Sequence, residues 1–422
     1  MEKFIINGGK KLKGEIEVKG AKNSSLAIFS ASLLISGTVK ITNVPEVEDV
    51  FRISELLKNL GVKVVHSGHG EYLITADTIK TSSISPEIAK KIRASIMLTA
   101  PLLARTGNTK FPHPGGCIIG ERPIDLFLEG YKALGAKINR DNDLYHIKGK
   151  LIGAKFVFSN VSVTGTAAMI MAASLSKGKT ILKNCACEPE IESLADFLNS
   201  CGAKINGAGT PFITIDGVKK LNGGEHKIIP DRIEAGTLAI LAAITKSNIL
   251  IKNCEPEHLD ILWNKLKSVG VSLKIRKNEV EINPPYSTKP SSLKAVDIKT
   301  HEYPGFATDL QAPFCVLLTQ AKGQSLIHET IFESRLFWLD DLKRMGAKIL
   351  MHDPHRISIQ GPIKLRAREI ESPDLRAGMA YLIAALTAKG ESTINNIYQI
   401  DRGYEKIEER LVKIGADIKR TQ

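Results

Sequence analysis

Aromatic residues are scarce in this chain of 422 residues: they make up 5% of it, and only two are tryptophan. Nor is there a block of five or six basic residues, so the formal net charge of +13 is scattered rather than striped. A nucleic-acid groove needs stacking rings beside a basic track, and that combination is missing. No apolar run approaches the roughly 20 residues needed to cross a bilayer. The first residues, Met1 to Asn7, lack the hydrophobic region of an export signal. The expectation is a cytoplasmic protein with neither nucleic acid nor membrane as a partner. Cysteine is sparse as well, at positions 117, 185, 187, 201, 254 and 315. In a reducing compartment these form no disulfide framework. Cys185 and Cys187 have no second pair at zinc-site spacing, so no metal is expected.

What is present is ordinary for a globular chain, 43% hydrophobic and 24% charged. A prior of about 150 residues per domain gives two or three domains. The scattered positive charge leaves two readings open: small polyanionic ligands, or plain solubilising surface.

Self-similarity is the strongest architectural signal. A helix-like run ending in glycine before a short strand occurs six times, at Gly61, Gly135, Gly202, Gly270, Gly346 and Gly415, spaced 67 to 76 residues apart. Each glycine suits the position just past a helix, where the chain turns left-handed. Alanine- and serine-rich helices, at 24–35, 166–175 and 377–387 among others, carry almost no charge and belong inside. The Leu/Lys/Glu-patterned helix of each unit has one wet face. No unit buries its own faces alone, so the pattern predicts an α/β fold of α+β repeats in two domains of three units each.

The chemistry clusters in two kinds of place. The stretch from Pro114 to Asp125 holds three glycines and two prolines around Cys117, five residues before Arg122. This predicts a freely turning loop, a lid carrying a thiol beside an anion-pairing guanidinium. Polar residues also gather at the N-termini of the apolar helices: Lys22-Asn23, Arg93, Ser162 to Thr166, Asp231-Arg232 with Glu234, Thr308-Asp309, and Asp374-Leu375-Arg376. Helix capping accounts for Thr308 and Asp374. It does not account for Arg93, Arg232 and Arg376, because a cation at the positive end of a helix costs roughly several tenths of a kcal/mol. Those arginines predict a nearby anion, such as a substrate phosphate or carboxylate. Two domains facing each other would then enclose a positive cleft for a doubly anionic substrate.

Five separated motifs carry a resemblance over essentially the whole chain: Gly20-Ala21-Lys22-Asn23, Pro114-Gly115-Gly116-Cys117 with Gly120-x-Arg122-Pro123-x-Asp125-Leu126, Pro230-Asp231-Arg232-Ile233-Glu234-Ala235-Gly236-Thr237, Pro304-Gly305-Phe306 with Thr308-Asp309, and Asp374-Leu375-Arg376. In these the chain resembles the UDP-N-acetylglucosamine enolpyruvyl transferases, the MurA family. The resemblance implies a two-domain inside-out α/β barrel of six βαβαββ units, with residues 1–21 plus 231–422 in one domain and 22–230 in the other. It implies transfer of the enolpyruvyl group of phosphoenolpyruvate to the 3′-hydroxyl of UDP-N-acetylglucosamine, the first committed step toward peptidoglycan. By the same resemblance Cys117 is the acid, Asp309 takes or orients the acceptor proton, and Lys22 joins them in catalysis. Lys22, Asn23, Arg93, Arg122, Arg376 and Arg402 surround phosphoenolpyruvate. Asn23, Arg93, Arg122, Pro123, Ile124, Asp125, Leu126, Ser162, Val163, Asp309 and Ile331 hold the sugar nucleotide. No cofactor, metal or obligate protein partner is implied.

The chain departs from the family pattern at Phe127 (commonly His), Asn160 (commonly Lys) and Thr164 (commonly Gly), all on the nucleotide side. Two other readings are discriminated by residues. A 5-enolpyruvylshikimate-3-phosphate synthase has Ser where Asn23 stands and lacks the cysteine loop. A non-catalytic UDP-sugar sensor has no use for Lys22, Cys117, Asp309 and Arg402 together.

Overall fold

In a computed structural model describing residues 2–115, 123–283 and 293–422, six sheets share one pairing scheme. An edge strand runs parallel to its neighbour, and two antiparallel strands follow. Thus Lys13–Glu17 lies parallel to Asn248–Lys252, which pairs antiparallel with Glu279–Asn283 and through it with Ser272–Arg276. Ile298–Lys299, Gly323–His328, Arg356–Gly361 and Lys348–Asp353 repeat the scheme. So do Glu225–Lys227, Thr38–Thr42, Glu71–Thr75 and Lys63–Gly68. In the sheet of Asn108–Pro112, Leu144–Lys148 and Lys137–Asp141, the parallel edge has shrunk to a single bridge from Ser83 to Lys110. Along these strands buried and exposed residues alternate, as in Gly323–His328, where Ser325 and Ile327 point inward. Alternation of period two leaves one face of each sheet for packing and one for water.

The described residues divide into two compact units, one of 2–19 with 230–422 and the other drawn from 20–229. Each unit has its own apolar core. In the first, the helix Gln311–Leu318 packs between Arg232–Ile244 and Leu375–Thr387. In the second, Val163–Ser174 packs against both Lys22–Ala31 and Thr99–Thr106. These are the helices that carry almost no charge along their length, and every residue of Gln311–Leu318 is buried. A helix apolar on all sides has no wet face and is stable only when surrounded. The first of them ends sooner than its composition suggests: the α-helix stops at Ala31, and Ser32–Leu34 continue as a 3₁₀ turn. By contrast Glu48–Asn59 buries Val50, Ile53, Leu56 and Leu57 on one face, with Glu48 and Asp49 at its positive end and Lys58 at its negative end.

All six repeat glycines adopt positive φ, between 92° and 103°. An L-residue with a side chain pays roughly 1–2 kcal/mol for that conformation. The recurrence in sequence is therefore a recurrence of one backbone event, the left-handed exit from a helix into the hairpin of its sheet. Among the described residues no helix is long and apolar enough to cross a membrane.

Candidate active site

In the unit of residues 2–19 and 230–422, the chemistry gathers at the N-termini of its three inner helices. Asp231 caps Arg232–Ile244, accepting from the backbone amides of Ile233 (2.8 Å) and Glu234 (3.0 Å). Asp374 caps Leu375–Thr387 in the same way, from Arg376 (2.8 Å) and Ala377 (3.1 Å). Thr308 does not cap. It begins a 3₁₀ turn, Thr308–Leu310, and its hydroxyl donates to Glu329 Oε2 at 2.9 Å. The capping expectation is corrected here because Thr308 stands one residue inside the turn, with Ala307 at the cap position, and its hydroxyl turns to the buried Glu329 carboxylate instead.

Asp309, next in that turn, is gripped from both sides. Arg376 Nη2 donates to Oδ2 at 2.8 Å and Arg335 Nη2 to Oδ1 at 2.9 Å. The two arginine side chains are 7% and 4% exposed, whereas Asp309 keeps 27%. Arg376 also donates from Nη1 to the Tyr404 hydroxyl at 3.2 Å, and that hydroxyl lies 3.1 Å from Thr237 Oγ1. Burial disfavours the charge on Arg376, but Asp309, then Tyr404 and Asp231, outweigh it and raise its proton affinity. The anion demanded by an arginine at a helix start is thus present: it is the carboxylate of Asp309, 67 residues away in sequence. Arg232, the second such arginine, lies over the ring of Tyr303 at 5.5 Å. Arg402 follows the short helix Tyr398–Asp401 and donates to Gln399 Oε1 at 3.2 Å. Ile331, half-buried, has its amide held by Glu329 Oε1 at 2.8 Å.

In the unit drawn from residues 20–229, Lys22 opens the helix Lys22–Ala31 and pairs with Asp49 Oδ2 at 3.0 Å. Both side chains are largely buried, at 12% and 5% exposure, so the pair is screened far less than a surface one. Asn23, the next residue, is exposed. Arg93 begins the 3₁₀ segment Arg93–Leu98 and donates to the Pro123 carbonyl at 3.5 Å. Pro123 and Asp125 are exposed, Ile124 is buried and Leu126 half-buried, and Asp125 starts the helix Asp125–Ala133. Ser162 caps Val163–Ser174 by accepting from Gly165 N at 3.1 Å. Val163 and Thr164 are half-buried in its first turn, with Asn160 exposed just before. At Gly115 a Cβ would lie 1.7 Å from the Lys90 carbonyl oxygen, so close backbone approach fixes glycine at the root of the cysteine loop. Cys117 and Arg122 themselves lie outside the described residues.

Among the described residues there is no group of three or more His, Cys, Asp or Glu side chains that could hold a metal. The sequence profile of EPSP synthase (3-phosphoshikimate 1-carboxyvinyltransferase) matches residues 6–411. The UDP-N-acetylglucosamine 1-carboxyvinyltransferase of Desulforapulum autotrophicum is 43% identical over 423 residues, covering 100% of both chains. The protein of the same name from Halothermothrix orenii is 44% identical over 425 residues, again at 100% coverage of each. The chain belongs to the carboxyvinyltransferase family.

Among solved structures, the enolpyruvyl transferase NikO from Streptomyces tendae superposes with a TM-score of 0.89 at 23% identity, covering 100% of this chain and 99% of that one. That likeness shows the mixed α/β fold of this carboxyvinyltransferase. Its departure at Phe127 is a packing matter, since the ring is 3% exposed within the core of its unit. Three residues of the Asp309 neighbourhood escape sequence reasoning: Arg335, Glu329 and Tyr404. Glu329 is fully buried, and besides Thr308 and Ile331 it accepts from the amide of Phe332 at 3.2 Å. A charged residue between two turns that both carry candidate residues is the one available signal. Two of its partners, Ile331 and Phe332, are local, but Thr308 lies 21 residues away, beyond any local motif.

Proposed function

We infer that this carboxyvinyltransferase transfers the enolpyruvyl group of phosphoenolpyruvate to the 3′-hydroxyl of UDP-N-acetylglucosamine and releases phosphate. The observation that carries this is identity of 43–44% across the full length of relatives bearing that activity in their names. The reaction is an addition followed by an elimination. Carbon 3 of phosphoenolpyruvate takes a proton, the acceptor oxygen attacks carbon 2 and gives up its hydroxyl proton, and the tetrahedral adduct then loses a carbon-3 proton and phosphate, which carries the hydroxyl proton away in the balance. It is the first committed step of peptidoglycan precursor synthesis and belongs in the cytoplasm.

In our reading Cys117 supplies the proton to carbon 3 and can add covalently to phosphoenolpyruvate. Lys22, Arg122 and Arg402 bind the phosphate and carboxylate, with Arg93 and Arg376 adding positive charge and Asn23 beside Lys22. Cationic side chains perform the neutralisation that a metal performs elsewhere, so the residues need no cofactor. Asn23, Arg93, Arg122 through Leu126, Ser162, Val163, Asp309 and Ile331 hold the sugar nucleotide. Asp309 already accepts from two guanidiniums. A carboxylate so engaged is better suited to holding and orienting the hydroxyl than to carrying its proton away, which favours the orienting role. The shared sheet pairing supports an inside-out barrel of six βαβαββ units, three per domain, with domain limits at 1–21 plus 231–422 and 22–230.

The deciding assay is phosphate release by the purified, folded chain. Release is expected only with phosphoenolpyruvate and UDP-N-acetylglucosamine together. Release with shikimate 3-phosphate instead would make the chain a 5-enolpyruvylshikimate-3-phosphate synthase. Binding of the UDP-sugar without any release would make it a sensor.

A further inference from the structure

Arg420 stands in the strand Ile418–Thr421, which pairs antiparallel with Lys3–Gly8. Its guanidinium meets Asp401 as a fork, Nη2 to Oδ1 at 2.7 Å and Nη1 to Oδ2 at 3.0 Å. Nε donates to Glu408 Oε1 at 2.6 Å and Nη1 also to Glu2 Oε2 at 3.0 Å. The same group lies 5.1 Å from the ring centroid of Phe4, which is fully buried. Exposed ion pairs usually contribute little, but a bidentate pair within a network of several charges is the exception. The hydrogen bond to Asp401, joined by that to Glu408 and opposed by burial, strengthens the hold of Arg420 on its proton.

What the fork secures is a segment with little stability of its own. Asp401 ends a four-residue helix, Tyr398–Asp401, and a helix that short does not persist alone. The next residue is Arg402, whose amide donates to the Tyr398 carbonyl at 3.2 Å. On the other side, Gly403 lets Leu375 approach so closely that a Cβ would stand 2.8 Å from Leu375 Cδ2. Tyr404 then ties the chain to Arg376 and Thr237. Arg402 is therefore suspended between a carboxylate fixed by Arg420 and a phenol fixed by Arg376.

We propose that Arg420 is a positioning residue for phosphoenolpyruvate binding: its fork on Asp401 holds the short helix that presents Arg402. This rests on the reading that Arg402 binds phosphoenolpyruvate. A lysine keeps the charge but not the fork, so the geometry and the charge are separable.

The test compares the full-length parent with Arg420→Gln, Arg420→Lys, Asp401→Asn and the Asp401→Asn/Arg420→Gln double variant. KM for each substrate is measured together with hydrogen exchange at the Arg402 amide. Arg420→Gln is expected to raise KM for phosphoenolpyruvate about tenfold and leave that for UDP-N-acetylglucosamine within about twofold. Arg420→Lys should fall between, and the double variant should lose no more than the worse single. The Arg402 amide should exchange at least about fivefold faster in Arg420→Gln. A KM for phosphoenolpyruvate within about twofold of the parent, or an equal rise for both substrates, overturns the proposal. If the parent itself shows no turnover, the functional reading fails. The exchange rate then still decides whether Arg420 fixes this segment, and an unchanged rate overturns that too.

Discussion

Arg376 Nη2 and Asp309 Oδ2 stand 2.8 Å apart in a contact between a nearly buried guanidinium and a partly open carboxylate. The second carboxylate oxygen accepts from Arg335, 4% exposed. Removing Arg335 loosens one side of that grip. Arg335→Gln is expected to lower kcat about tenfold and to cost about 1–3 kcal/mol of stability for the lost charge-assisted bond. Arg335→Lys should recover part of the stability and little of the rate. Steady-state kinetics and thermal melts on the same preparations check both, and a Gln variant with parental kcat would show that Asp309 is oriented without Arg335.

Alkylation should be selective among the cysteines. Burial pushes the thiol of Cys185 up to about 12 and that of Cys254 up to about 11, with Cys187, Cys201 and Cys315 also raised by burial. Near neutral pH these five remain thiols, and the thiol is the unreactive form. An epoxide that mimics phosphoenolpyruvate, such as fosfomycin, should therefore add once, at Cys117. Peptide mass mapping checks the position, and an adduct on Cys185 would count against the assigned acid. Cys117→Asp should give no adduct while retaining turnover, because a carboxylic acid can also donate a proton.

Glu234 and Arg410 form a buried pair, with side chains 3% and 11% exposed. Glu234 also accepts from the amide of Lys19 at 3.0 Å. Burial holds the Glu234 carboxyl above its ordinary range, although Arg410 pulls it down. A carboxyl raised in the fold binds its proton more tightly folded than unfolded. Its contribution is fully present below the unfolded value, about 4.3 for glutamate, and is lost as pH rises through the folded value. Removing Arg410 enlarges that loss. Arg410→Gln should cost about 3–5 kcal/mol at neutral pH, with the deficit shrinking in acid. The Glu234→Gln/Arg410→Gln double variant should be the more stable of the two at neutral pH. Denaturant unfolding at about pH 4.5 and about pH 7.5 reads the sign directly.

Local backbone events are legible in the residues themselves. The six helix-ending glycines mark a left-handed residue, whose chemistry is written in one letter, and the uncharged helices mark burial just as directly. Arg376 announces that an anion is needed but not which one. Asp309 answers from 67 residues away, and no local pattern encodes that distance. Thr308 shows the opposite failure: its local context fits a cap, yet it stands inside the turn after Ala307, and its hydroxyl donates to Glu329, 21 residues on. Ser162 also caps its helix, accepting from the Gly165 amide, and that bond leaves its O–H free to donate to a ligand. Pairings across the fold, not residue types, are what the sequence withholds.

The strand Lys3–Gly8 completes a sheet with Gly390–Asn395 and Ile418–Thr421, and Lys13–Glu17 lies against Asn248–Lys252. During translation these two segments emerge first and wait longest, because their partners follow by some hundreds of residues. Residues 20–229, by contrast, pair their described strands only with one another, and even the most distant of those pairings, Thr38–Thr42 with Glu225–Lys227, can close before Asn248–Lys252 is made. The order of synthesis therefore favours completion of the internal unit before the outer one, and the earliest-made strands are the last to find their places.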